Sequence, residues 1–183
     1  MLPLLAALIA LACVAASARR LVFAITSTAL APDALLAVLR GDAGRAAAPR
    51  ILAEIAREPE AAWERDLLEA LARTDSARAA LVNEQLTELD FLLQRWARVP
   101  RVCASIATSS GFLLASLALR NALADTSDTI DVNRAVTDAI NVAAIGIAGA
   151  SFCIAIQFRA RAIAKARLAS TDKLVERLES LAT

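Results

Sequence analysis

Apolar and charged positions along this chain are sorted into blocks rather than interleaved. The first block, Leu2 to Ala18, carries no charge and ends at Arg19-Arg20; a shorter apolar run, Leu21 to Ala31, follows directly. A second block runs from Val102 to Leu119 between Arg101 and Arg120, and a third from Ala139 to Phe158 between Asp138 and the pair Arg159 and Arg161. Each holds roughly 17 to 20 residues, near what a helix rising about 1.5 Å per residue needs to cross ~30 Å of hydrocarbon. One such block fits a buried core helix. Three in a chain of 183 residues leave a water-soluble protein too little polar surface to cover them. The pattern predicts an all-α integral membrane protein with three transmembrane helices, a helical cytoplasmic insert and a helical cytoplasmic tail.

Between the first two blocks the pattern turns amphipathic. Pro32-Asp33 opens a helix through Arg40, and Gly41-Asp42-Ala43-Gly44 breaks it. Pro49 suits the first turn of another helix, with Ile51, Leu52 and Ile55 on one face, and Glu58-Pro59 interrupts. Trp63, Leu67 and Leu71 then share a helical face. Thr74, Asp75 or Ser76 is placed to cap the longest middle helix, where Val82, Leu86, Leu89, Leu93 and Trp96 recur in steps of four and three. That seam is either a core face against the other middle helices or a contact between subunits. Past the third block, Leu174, Leu178 and Leu181 keep one stripe, so the third helix is expected to continue into the tail. The resulting divisions are 1–31 (first transmembrane segment and exit), 32–101 (cytoplasmic helical region), 102–120 (second transmembrane helix), 121–135 (short outside loop), 136–160 (third transmembrane helix) and 161–183 (cytoplasmic tail).

Arginine placement sets the orientation. No basic residue precedes the first block, Arg95, Arg98 and Arg101 lead into the second, and Arg159, Arg161, Lys165 and Arg167 follow the third. The loop after the second block sets Arg120 and Arg134 against Asp125, Asp128 and Asp131. Basic residues favour the cytoplasmic side, so the N-terminus is expected outside, with residues 32–101 and the tail inside. A cleaved signal peptide is the rival for the first block, since Ala16-Ser17-Ala18 reads as a small-x-small site. Met1-Leu2-Pro3 lacks the basic start of such a peptide, and cleavage would export the Arg-rich middle. It would leave a mature N-terminus at Arg19.

Composition narrows the chemistry. Apolar residues make up 58% of the chain, above the roughly 45–50% of ordinary soluble domains. The net charge of +1 gives no general pull towards nucleic acid. There is no His, and Cys13, Cys103 and Cys153 each sit in an apolar stretch without a CxxC pair. They read as small apolar fillers rather than a zinc site or disulfide framework. With no nucleophile–base pair and no glycine-rich phosphate loop, the chain is expected to be no enzyme and to need no metal or other cofactor.

The candidate functional residues therefore lie in the spans. Asp138, where the third block begins, is either an interfacial carboxylate favouring the helix dipole or an ion-responsive group on a wet wall. Asn141 shares its face. Thr108, Ser109 and Ser116, with Ser105 and Gly111, make one half of the second block polar, for packing or for a wet path. Ala139, Ala143, Gly146 and Ala150, continued by Cys153, form a stripe of small side chains suited to close helix packing.

The layout and local sequence resemble the TolQ/ExbB subset of the MotA/TolQ/ExbB proton-channel family. Val82-Asn83-Glu84-Gln85-Leu86 through Arg95, and Arg101-Val102-Cys103-Ala104-Ser105-Ile106-Ala107-Thr108, are similar to the family's run into its second helix. Thr137-Asp138-Ala139-Ile140 through Ala144-Ile145-Gly146-Ile147-Ala148 is similar to its third. The resemblance covers roughly residues 80–180. It implies a homo-oligomer, a pentamer in the family, around a single-span ExbD/TolR-like partner whose aspartate carries protons. Asp138 falls where the family has a Glu. Ala143 replaces the family's pore threonine and Phe152 a later proline. Gly111, Leu114, Leu117 and Ala118 stand where the second helix has a proline, glycines and a threonine. Two functions follow: a divergent proton-channel or motor subunit, or a non-conducting membrane scaffold whose cytoplasmic helices dock a partner.

Overall fold

A computed structural model of the chain describes residues 2–28, 31–38, 46, 49–51, 53–55, 57–58, 61–73, 76–95, 97–125 and 129–182, with side chains at all of these but 38, 125, 129–131 and 179–182. The fold is all-α, 92% helical, with no strand among the described residues. Its helices are α1 (Leu2–Ile25), α2 (Pro32–Val38), α3 (Ala62–Ala72), α4 (Arg78–Gln94), α5 (Val99–Asp125) and α6 (Thr129–Ala182). Three helical stretches, built on α1, α5 and α6, are long and apolar enough to cross a membrane, which makes this a multi-pass membrane protein by length and composition.

Several boundaries differ from those the sequence suggests. The apolar run of the first block ends at Arg19-Arg20, but α1 continues to Ile25 and Arg20 is buried. Arginine is a good helix former, so it ends a hydrophobic run without ending a helix. The N-cap of α4 is Ala77, one residue past Ser76, and its side chain makes no capping hydrogen bond. Pro100 falls in the first turn of α5, where its missing N–H leaves no intrahelical bond unmade. The helix end at Arg40, Gly41–Gly44, Leu52, Pro59, Thr74, Asp75, Trp96 and Asp128 lie outside the described residues.

The chain divides into two compact units. Unit 1 comprises Met1–Val22 and Trp96–Ala160, and so the bodies of α1, α5 and the first part of α6. Its core has two layers. In one, Ala6 of α1 meets Leu114 and Ala115 of α5 and Ala139 and Val142 of α6. In the other, Cys13 meets Cys103, Ala104 and Ala107 of α5 and Ala150 and Cys153 of α6. Residue numbers rise along α1 and α6 from the first layer to the second and fall along α5, so the three run up, down and up. The outward face is large and apolar: Leu4, Leu8 and Leu11 on α1, Phe112 and Leu113 on α5, and Phe152 and Phe158 on α6 are all exposed. Burying small residues and exposing large ones suits a hydrocarbon solvent, in which helices gain by backbone approach rather than by hiding Leu.

That approach is closest where α5 passes α6. A Cβ added at Gly146 would lie 2.7 Å from Gly111 Cα and 2.7 Å from the Ala107 carbonyl oxygen; one added at Gly111 would lie 2.8 Å from Gly146 Cα. Both neighbours are backbone, which cannot rotate aside. One turn along α6, a Cβ at Gly149 would meet Ala10 Cβ of α1 at 2.7 Å.

Unit 2 comprises Phe23–Arg95 and Arg161–Thr183. Here Leu67, Ala70 and Leu71 of α3 and Val82 of α4 pack on Leu174, Val175 and Leu178 of α6, with Leu35, Ile51 and Trp63 at the edge. Trp63 Nε1 donates to the Gln85 carbonyl at 3.1 Å, tying α3 to α4. Arg167 donates to Thr28 Oγ1 at 2.5 Å, and the Ser170 hydroxyl donates to the Asp33 carboxylate, holding the α1–α2 connection on α6.

Two substitutions separate the units. Gly146→Ala should force α5 and α6 apart and cost about 1–3 kcal/mol, the usual range for overpacking. It should lower the melting temperature in detergent, while Ala148→Leu on the exposed side of the same helix leaves it unchanged. Leu174→Ala should cost about 2–5 kcal/mol within unit 2. Limited proteolysis should then cut the tail faster with no change in the spans.

Candidate functional site

The polar candidate residues sit on α5 and α6 of unit 1. Asp138 and Asn141, three residues apart and so on one side of α6, are both exposed. On α5, Ser109 and Ser116 are exposed too, seven residues apart and therefore two turns along one face. The Ser116 hydroxyl donates to the Phe112 carbonyl at 2.9 Å. Thr108 is half-buried and its hydroxyl donates to the Ala104 carbonyl at 3.0 Å. Such back-bonds use the hydroxyl's hydrogen within its own helix and leave its oxygen lone pairs to accept from a neighbour.

The small-residue stripe lies on another side of α6. Ala139, Gly146 and Ala150 are buried and Ala143 half-buried; Ala139 and Ala143 belong to the first core layer, Ala150 to the second, and Gly146 to the crossing with α5. The two groups of candidate residues are thus divided by direction. The small ones face inward, while Asp138, Asn141, Ser109 and Ser116 face out of the bundle. An apolar cavity of about 20 Å³ lies in unit 2, lined by Trp63, Leu67, Leu174 and Leu178 with Glu64 and Thr171 among its polar neighbours. It has room for about one water molecule.

A feature that sequence reasoning missed is the meeting of the three cysteines. Cys13, Cys103 and Cys153 come from three different helices and are buried in one cluster. The signal was present in the spacing from the basic ends. Cys13 lies six residues before Arg19, Cys103 two after Arg101 and Cys153 six before Arg159. With those ends on one side of an up–down–up bundle, all three thiols fall within about 9 Å of the same level. Among the described residues, no group of three or more Cys, Asp or Glu is arranged to hold a metal ion.

No family model matches the chain, and no curated protein or solved structure matches it either.

Proposed function

We propose that this chain is a divergent TolQ/ExbB-like subunit of a bacterial inner membrane. It assembles with copies of itself, five by resemblance, around a single-span partner and couples proton flow to work across the envelope. The N-terminus lies outside, and residues 32–101 and the tail lie in the cytoplasm. The observation that carries the reading is the outward placement of Asp138, Asn141, Ser109 and Ser116. An Asp facing hydrocarbon at the centre of a span costs roughly 2.5–3.5 kcal/mol, less near its end, and such residues normally face protein or a wet cavity. A polar face turned out of a single bundle is relieved when a second copy or a partner helix covers it. A shared path then forms between subunits rather than inside one. In that setting Asp138 supplies a carboxylate beside the path, and Thr108, Ser109 and Ser116 take the place of the hydroxyl lost at Ala143.

A second reading, a non-conducting scaffold, draws on Ala143 and Ala118, which are apolar at the two positions where the resemblance implies a threonine hydroxyl, and on Gly111, which stands where it implies a proline. Under it, unit 2 docks a cytoplasmic partner. Asp138→Asn separates the two. The motor reading expects loss of proton-driven output at unchanged protein level; full output would remove Asp138 from the mechanism and favour the scaffold. The mass of the detergent-purified protein should be close to five times the 19.2 kDa chain, larger with a single-span partner present. A monomer under both conditions would contradict assembly.

A further inference from the structure

We propose that one end of unit 1 is a binding site for anionic phospholipids, whose headgroup phosphates are held by a collar of four arginines, Arg19, Arg98, Arg101 and Arg159. The layer of Cys13, Cys103 and Cys153 fixes the level of that collar. Arg19 lies six residues past Cys13 on α1, and Arg159 six past Cys153 on α6. On the oppositely directed α5, Arg101 and Arg98 lie two and five residues before Cys103. At about 1.5 Å per residue, all four stand roughly 3 to 9 Å beyond the layer, on the same side of it. All four are exposed. Among the described residues, none of their side chains has a hydrogen bond or ion pair. Nor does unit 1 supply an acid at that end. Residues 1–22, 96–124 and 139–160 contain no Asp or Glu, and the carboxylates of the unit all fall between 125 and 138, where the opposite ends of α5 and α6 are joined.

Arg98 and Arg101 form the strongest part of the collar. The Arg98 carbonyl accepts the Val102 N–H at 3.1 Å, so Arg98 already lies on the helical turn that carries Arg101. Residues three apart on such a turn have about 5–6 Å between their Cβ atoms. Two guanidiniums at that spacing present planar, paired N–H donors to one phosphate. The same face continues along α5 as Val102 and Ile106, both exposed, and an acyl chain lies against them. Charge is thus matched at the head and apolar surface along the tail, which selects a lipid over a free phosphate. A headgroup of net negative charge is preferred to a zwitterionic one, whose own cation competes with the arginines. The site draws on unit 1 alone and holds under the motor and scaffold readings alike.

The test is native mass spectrometry of the full chain, released from detergent after titration with phosphatidylglycerol or phosphatidylcholine. Each arginine beside an anionic headgroup contributes about a fivefold factor, so phosphatidylglycerol is expected to bind roughly 25-fold more tightly through the pair. The double variant Arg98→Gln/Arg101→Gln should lose most of that preference. Arg120→Gln/Arg134→Gln, which removes two exposed arginines towards the other end, should keep it. A tenfold rise in salt should weaken phosphatidylglycerol far more than phosphatidylcholine, because exposed charges are screened. Equal affinity for the two lipids, a preference indifferent to salt, or equal losses in the two double variants would overturn the site. Displacement of the lipid by an equal concentration of glycerol phosphate would overturn it too, assigning the collar to a free phosphate. The lipid and salt comparisons use the unaltered chain, so they decide the matter even where a double variant fails to fold.

Discussion

Where α5 passes α6, two backbones meet at Gly111 and Gly146 with no side chain between them, and the rest of unit 1 is organised around that approach. In hydrocarbon, a helix already satisfies its own N–H and C=O groups, and burying Leu against a neighbour gains little over leaving it in lipid. What remains is dispersion, which is strongest when main chains come close. Glycine at both positions permits that contact. On one side the layer is all Ala and Cys, as close helices require; on the other, Ala6, Ala115 and Ala139 leave room for Leu114 and Val142. Gly149 against Ala10 extends the same economy of volume to α1.

A consequence is an inverted surface. Leu4, Leu8, Phe112, Phe152 and Phe158 point outward, an arrangement that would aggregate in water and is at ease among acyl chains. Unit 2 obeys the opposite rule: Leu67, Leu71, Leu174 and Leu178 are inside, and charged residues such as Asp66, Glu69 and Lys173 are exposed. One helix, α6, contributes to both units, small-faced in its first half and leucine-striped in its second. Against that apolar exterior, the outward Asp138 and Asn141 stand out as groups whose environment in a lone bundle is poor, which is why assembly is the natural completion of the proposed function.

Block length and charge made the three apolar helices legible in the sequence, since hydrocarbon thickness imposes a count of residues that few soluble folds repeat three times. The leucine stripe at 174 and 178 was legible from helical spacing. Helix ends were less so. Arg19-Arg20 close the first apolar run, but α1 continues to Ile25, and the N-cap of α4 falls at Ala77, just past Ser76, because local preference is weak beside tertiary packing. The convergence of Cys13, Cys103 and Cys153 was hidden for a different reason. Their proximity belongs to three helices at once, and shows only when the spans are aligned by their arginine ends.

The central claim is that lipid is the solvent for α1, α5 and α6. Its most direct test is extraction of membranes bearing the full chain with alkaline carbonate, followed by detergent. The protein is expected to stay in the carbonate pellet and to enter solution only with detergent. A chain recovered in the carbonate supernatant, folded and monomeric without detergent, would contradict the account.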